Sequence, residues 1–247
     1  MRLSLADPKY LVDSVSIISE LVNDVRLKCD SDKIELVAMD PANVAMIVFR
    51  LLGSAFTEYK IDEPVEICVS LDSFKQVLKR IKPSDVLTLE LDKEKNRLKV
   101  KIVGESSRTF NLSLIDISDK EQKMPNLKFP ITIETPSYIL EEAVTDMGII
   151  SESVSFVVEP NKFMLNSESK LHNAKVELGG DNETSVASDV ESVKSKYSLE
   201  YLKKMVKSGK LAPKVKIQFD QNYPLKLDYS VKDKFQLTFL LAPRSDQ

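Results

Sequence analysis

The chain is poor in the residues that build active sites. It has one histidine, six glycines and two cysteines in 247 residues. The histidine, in Ser169-Lys170-Leu171-His172-Asn173, has no partner placed to orient it, so a surface position is expected rather than a general base. Gly53, Gly104, Gly148, Gly179, Gly180 and Gly209 form neither GxxxxGK nor GxGxxG, which excludes the usual phosphate-cradling loops. Cys29 and Cys68 belong to no CxxC or Cys/His cluster and sit in alternating apolar segments. They read as buried thiols of a reducing compartment, not as a disulfide or a metal site. No signal-peptide core stands at the N-terminus, and the longest apolar candidate, 44–49, is far short of a membrane span. An intracellular protein without membrane contact is expected. Acidic neighbours such as Asp30 and Asp32, or Glu141 and Glu142, are coincidences to be expected among 38 carboxylates. No catalytic residue, metal ligand or cofactor is expected, and the chain reads as a non-enzyme.

What the sequence does have is a copy of itself. Pro8-Lys9-Tyr10-Leu11-Val12-Asp13 is answered 128 residues later by Pro136-Ser137-Tyr138-Ile139-Leu140-Glu141. At the same offset Ser70-Leu71-Asp72-Ser73-Phe74-Lys75-Gln76-Val77-Leu78-Lys79 lies over Ser198-Leu199-Glu200-Tyr201-Leu202-Lys203-Lys204-Met205-Val206-Lys207, and Lys82 falls on Lys210. Helical patterning explains one such match, whereas two at one offset imply a duplicated domain. The length suits two domains, each able to bury a core.

Alternation at period two recurs in Leu98-Val100-Ile102, Phe110-Leu112-Leu114, Val215-Ile217-Phe219 and Leu225-Leu227-Tyr229, the pattern of half-buried antiparallel strands. Four helices interrupt them. Two start at the matched prolines, with apolar stripes Leu11-Val15-Ile18-Val22 and Ile139-Ala143-Met147-Ile150; the other two carry the lysines. The expected class is α+β, with domains at 1–115 and 131–247. Residues 116–130, charged and closed by Pro125 and Pro130, form the connector. Gly179 to Lys196 is polar and acidic and reads as a mobile solvent loop.

The net charge of −3 conceals a separation. Lys75, Lys79, Arg80 and Lys82 against Asp72 give residues 70–82 a net +3, and Lys203, Lys204, Lys207 and Lys210 against Glu200 give residues 198–210 the same; removing both from −3 leaves −9 elsewhere. On a helix Lys75, Lys79 and Lys82 fall within about 60° of one another, opposite Phe74, Val77, Leu78 and Ile81. Lys203, Lys207 and Lys210 repeat that arrangement against Leu202, Met205 and Val206. Stacked like charges destabilise an isolated helix by a few tenths of a kcal/mol per pair, which an external polyanion offsets. Lysine is a point charge and does not read bases as arginine or amides do. Without interleaved aromatics to stack single-stranded bases, sequence-blind contact with duplex phosphates is the expectation.

Leu36-Val37-Ala38-Met39-Asp40-Pro41, Phe110-Asn111-Leu112-Ser113-Leu114-Ile115-Asp116, the two lysine helices and the closing Leu237-Thr238-Phe239-Leu240-Leu241-Ala242-Pro243-Arg244 together resemble the DNA polymerase sliding clamp, the proliferating cell nuclear antigen family of archaea and eukaryotes. The resemblance covers nearly the whole chain. It implies the DNA clamp fold: two similar domains of antiparallel sheet, each with two helices on the inner face, three subunits closing into a ring around duplex DNA. It implies a pocket under the connector for partner motifs, matched here by Met39, Val44, Met46, Met124, Pro125, Pro224, Leu240, Leu241, Ala242 and Pro243. The partners implied are DNA polymerase, the clamp loader, flap endonuclease and DNA ligase. Subunits, identical or paralogous, would join by strand addition between Thr109, Phe110, Leu112 and Leu114 on one side and Ala174, Val176 and Leu178 on the other. The proline-led helices depart from the family's basic faces, offering Asp13, Glu20, Glu141, Glu142 and Asp146 beside Lys9. A duplicated duplex-binding protein that forms no ring is the alternative, and a hydrolase built on acidic pairs a more distant one.

Overall fold

A computed structural model describes residues 1–118, 122–160, 162–179 and 183–244. Residues 119–121 of the expected connector, and 180–182 of the expected loop, lie outside them. The first half runs β1 (Arg2–Leu5), α1 (Lys9–Ile18), β2 (Asp24–Cys29), β3 (Lys33–Met39), β4 (Ala45–Leu52), β5 (Glu58–Lys60), β6 (Val65–Ser70), α2 (Leu71–Leu78), β7 (Val86–Asp92), β8 (Arg97–Val103) and β9 (Ser107–Ser113). The second half repeats that order as β10 (Ile131–Pro136), α3 (Ser137–Ile150), β11 (Ser153–Glu159), β12 (Lys162–Glu168), β13 (Asn173–Leu178), β14 (Ser185–Ser188), β15 (Val193–Ser198), α4 (Leu199–Met205), β16 (Lys214–Gln218), β17 (Leu225–Val231) and β18 (Phe235–Leu241). Every strand pairing with a described register is antiparallel. The α+β class follows from that order.

Strand order repeats as well. The order β5-β1-β7-β8-β9 recurs as β14-β10-β16-β17-β18, and β6-β2-β3-β4 recurs as β15-β11-β12-β13. Pro8 and Pro136 stand immediately before α1 and α3, where a missing N–H costs nothing. Both lysine helices follow a strand without a loop. Leu71 N–H donates to Asn23 O at 2.8 Å and Leu199 N–H to Glu152 O at 2.9 Å, so each helix's first turn is satisfied by the same neighbouring segment.

The offset is not uniform. It is 128 for α2 and α4, but Leu27 opposite Leu36 is answered by Phe156 opposite Leu165, an offset of 129. Leu89 opposite Val100 is answered by Ile217 opposite Leu227, so β8 maps at 127. Phe110 and Leu112 then map on Phe239 and Leu241, at 129. Because a strand alternates faces, a shift of one residue exchanges buried and solvent positions, and the turns absorb it.

The chain divides into two compact units. One comprises 1–41, 47–124 and 231–237, the other 42–46, 125–230 and 238–247. In the first, Leu3, Val25, Ile47, Phe49, Phe74, Leu87 and Val100 form the core, each at most 1% exposed. In the second, Phe156 meets Phe163, Tyr197 and Phe219 edge-on at 5.3, 5.4 and 5.9 Å, each contact contributing about 0.5–1.5 kcal/mol beyond buried area.

Three expectations are corrected. The stripe of α3 is Leu140, Ala143, Val144 and Met147, with Ile139 and Ile150 only half-buried. Val22 is buried but lies beyond the end of α1. The acidic segment read as a mobile loop holds β14 and the start of β15: Val186 sits opposite Ile133, and Thr184 shares a 2.8 Å hydrogen bond with Thr135. An edge strand with one solvated side shows too little apolar alternation to stand out in a polar stretch.

Candidate functional sites

The cationic residues divide into two kinds. In the first unit Phe74, Val77 and Leu78 bury one face of α2 and leave Lys79 exposed, while half-buried Lys75 reaches Ser19 Oγ at 2.8 Å. Lys82 is not on the helix, which ends at Leu78: Pro83 disfavours helical backbone at the residue before it. Its N–H donates to Asp85 Oδ2 at 2.9 Å, and its ammonium pairs with Glu105 at 2.9 Å. Arg80 is exposed, and its carbonyl accepts a 2.9 Å hydrogen bond from Arg108 Nη1.

In the second unit α4 ends at Met205 and continues as a 3₁₀ turn over Val206–Lys210. Lys207 and Lys210, three residues apart, are eclipsed by that geometry and both exposed. Exposed Lys203 lies across Gly148 of α3, where a Cβ would overlap its Cε and Nζ. Lys204 sits apart, 3.4 Å from Glu200 one turn earlier and 5.6 Å from the Tyr201 ring centroid. Among the described residues no carboxylate pairs with Lys79 or Lys203.

Of the residues matched to the partner pocket, Leu240, Leu241 and Met46 are core, at 6%, 1% and 7% exposure. In the second unit Val44, Pro224, Ala242 and Pro243 are half-buried and Pro125 is exposed; in the first, Met39 and Met124 are half-buried. Within the second unit Ala242 N–H donates to Val44 O at 2.9 Å, which brings that strand end and the tail together. Phe129 packs edge-on against Tyr223 at 5.7 Å, beside Pro224.

The residues matched to a subunit boundary lie on open edges. Among the described residues β9 pairs with β8 alone and β13 with β12 alone. Phe110, Leu112, Ala174, Val176 and Leu178 are half-buried and alternate with exposed Thr109, Asn111, Lys175 and Glu177.

His172, Asp30 and Cys29 lie outside these clusters. His172 is exposed in the β12–β13 turn, its N–H donating to Ser169 Oγ at 3.1 Å. Asp30 Oδ1 accepts from Asp32 and Lys33 N–H at 2.8 and 2.9 Å, closing a turn. Burial pushes the Cys29 thiol up to about 12, with the Asp30 charge adding to it. Arg108 and Gly148 were not marked as site residues by the sequence, since neither belongs to a local pattern; each acts on a cation distant in the chain.

Residues 5–122 match the family model described as proliferating cell nuclear antigen, N-terminal domain, and residues 123–244 the corresponding C-terminal domain. The chain is 33% identical to a DNA polymerase sliding clamp of Nanoarchaeum equitans over 100% of both, and 34% identical to one of Pyrococcus furiosus over 97% of this chain and 96% of the relative. Among solved structures it is similar to PCNA from Thermococcus kodakaraensis, with TM-score 0.91, 25% identity and coverage of 98% and 99%. It is also similar to a chain of the PCNA2-PCNA3 complex from Sulfolobus tokodaii, with TM-score 0.89, 28% identity and 100% coverage of both.

Proposed function

Since the chain belongs to the proliferating cell nuclear antigen family and is a DNA polymerase sliding clamp, we propose that it acts as a non-enzymatic ring. Three subunits enclose the duplex, with Lys75, Lys79, Arg80, Lys203, Lys207 and Lys210 turned toward its phosphates. Topology supplies retention, so each contact needs only to be weak. Lysine ammonium groups on flexible stems attract phosphate anywhere along the helix and let it pass, which permits sliding. Lys82 and Lys204 contribute less than Lys79 and Lys203, because Glu105 and Glu200 already balance them.

The observation that carries the ring is the pair of open edges. The chain pairs β18 with β4, Leu52 N–H donating to Lys234 O and Ala242 N–H to Val44 O, both at 2.9 Å. The strands that answer these in the repeat, β9 and β13, have no such partner among the described residues. Two chains meeting there would complete a pairing that each chain already makes once. Such a head-to-tail interface closes into a ring when its rotation permits.

Polymerase, clamp loader, flap endonuclease and ligase would be tethered through residues that the family resemblance assigns to partner motifs, Val44, Pro224, Ala242 and Pro243 of the second unit and Met124 of the first. Methionine suits a site with several ligands because its thioether adapts in shape. The test is synthesis by a replicative polymerase on a primed template with a clamp loader. Product length is expected to rise when the chain is added, and unchanged length would overturn the reading.

A further inference from the structure

We propose that Arg26 is a positioning residue for partner capture: it latches the start of the connector to β6, so that the segment leading toward Met124 is ordered before a partner arrives. The latch follows from the geometry of the first unit, and its role in capture rests on the clamp reading.

The repeat isolates the arginine. β6 and β15 each end a sheet, and each is joined by the chain that follows the last strand of its repeat: Ile115 N–H donates to Cys68 O at 3.0 Å, and Arg244 N–H to Lys196 O at 2.7 Å. Cys68 and Lys196 are equivalent at the offset of 128, Ile115 and Arg244 at 129. Each contact lies within one compact unit. Docking on this edge is therefore common to both repeats and by itself points to no partner.

The two copies differ one strand further in. Arg26 of β2 stands opposite Cys68, whereas the residue of β11 opposite Lys196 is Ser155. Val25, Leu27 and Cys29 are buried, so Arg26 and Lys28 belong to the other face of β2. From that face Arg26 reaches past β6, and its Nη2 donates to Ile117 O at 2.9 Å. Glu66 of β6 steadies the guanidinium, with Oε2 3.5 Å from Arg26 Nε and Oε1 3.8 Å from Lys28 Nζ. A planar fork serves a carboxylate and a carbonyl together, which a serine hydroxyl is too short to do. Of the two repeats, the one that leads into the connector carries the arginine.

The latch extends the order of the segment. Ile115 and Ile117 are half-buried and alternate with exposed Asp116 and Ser118, as in a strand laid along an edge. The edge bond fixes the chain at Ile115, and the guanidinium fixes it two residues further on, toward Met124 of the same unit. With its side chain 22% exposed, Arg26 makes this charge-assisted bond partly shielded from water, where it is stronger than a surface ion pair. A segment already held in place loses less conformational freedom when a partner closes on it, so affinity rises without a new contact to the partner.

The test compares the full chain with Arg26→Ala and Arg26→Lys. Hydrogen exchange at the Ile115 amide is expected to be faster in Arg26→Ala. Native mass and the salt slope of duplex binding are expected to match the parent's, because Arg26 belongs neither to an open edge nor to a cationic cluster. In primed-template synthesis with a clamp loader, the clamp concentration that gives half-maximal product length is expected to rise about tenfold in Arg26→Ala, the effect of about one charge-assisted hydrogen bond. Arg26→Lys, which keeps a donor but not the fork, is expected to recover part of it. Exchange equal to the parent's overturns the latch. A changed native mass or duplex slope shows a general structural role and overturns the positioning role. Faster exchange with an unchanged half-maximal concentration overturns the role in capture and leaves the clamp reading intact. A parent chain that itself fails to lengthen the product overturns the clamp reading, and the role in capture with it, while the exchange result still decides the latch.

Discussion

Arg108 on β9 pairs through Nη2 with the buried carboxylate of Asp85, in the segment that leads from α2 into β7. The same guanidinium donates to Arg80 O, and Asp85 also accepts the N–H of Lys82. One ion pair therefore ties the open-edge strand to the turn that carries the first cluster of cations. Arg108→Ala strands a carboxylate that is 1% exposed, and removing one partner of a buried pair costs about 3 kcal/mol or more. At fixed protein concentration the urea midpoint is expected to fall, while Arg108→Lys recovers part of it. A midpoint equal to the parent's would show that the pair does not hold this turn.

Lysines without an acidic partner should dominate the salt dependence of DNA binding. Removing one lysine–phosphate interaction lowers the slope of log K against log salt by about 0.9. Lys79→Ala and Lys203→Ala are expected to do so, and Lys82→Ala, which removes an ammonium already balanced by Glu105, to do so less. Equal effects at all three positions would contradict the division.

Gly148→Ala changes no charge, yet its methyl occupies the space under the Lys203 side chain. Binding titrations should show a weakening resembling that of Lys203→Ala. A slope equal to the parent's would mean that the ammonium keeps its place without the glycine.

Leu241 and Met124 should separate stability from partner binding. Leu241, 1% exposed, is a core residue, and polar replacement is expected to cost about 2–5 kcal/mol of stability. Met124→Glu and Ala242→Glu, at half-buried positions, are expected to reduce polymerase stimulation while leaving native mass unchanged. Normal stimulation by both would move the partner site elsewhere.

Alkaline pH should weaken the fold. The Cys29 thiol is raised from 9.0 to about 12, so between these values the unfolded chain gives up a proton that the folded chain keeps. The stabilising effect is complete below pH 9 and disappears as pH rises toward 12, by up to about 1.4 kcal/mol per pH unit. Burial raises Tyr197 and Tyr229 in the same direction. The thermal midpoint should fall over this range, and less steeply in Cys29→Ala.

The duplication and the helix starts were legible because proline and lysine positions are local signals. The ends of those helices were not. Lys82 continues the spacing of Lys75 and Lys79, but Pro83 and the capture of its N–H by Asp85 take it off the helix. Leu98, Val100 and Ile102 showed their strand by alternation, whereas β14 has one solvated side and a polar composition. A single offset of 128 concealed the shift to 129, which appears only when Phe110 is matched to Phe239 by face and pairing. The tail residues matched to the pocket divide between core and surface, since sequence similarity does not reveal which face Leu241 or Ala242 presents.

Encirclement is tested most directly by timing the release of loaded protein from one DNA molecule, first as a closed circle and then after a single restriction cut. The account predicts long retention on the circle and rapid escape through the new ends. Equal lifetimes before and after cutting would contradict it.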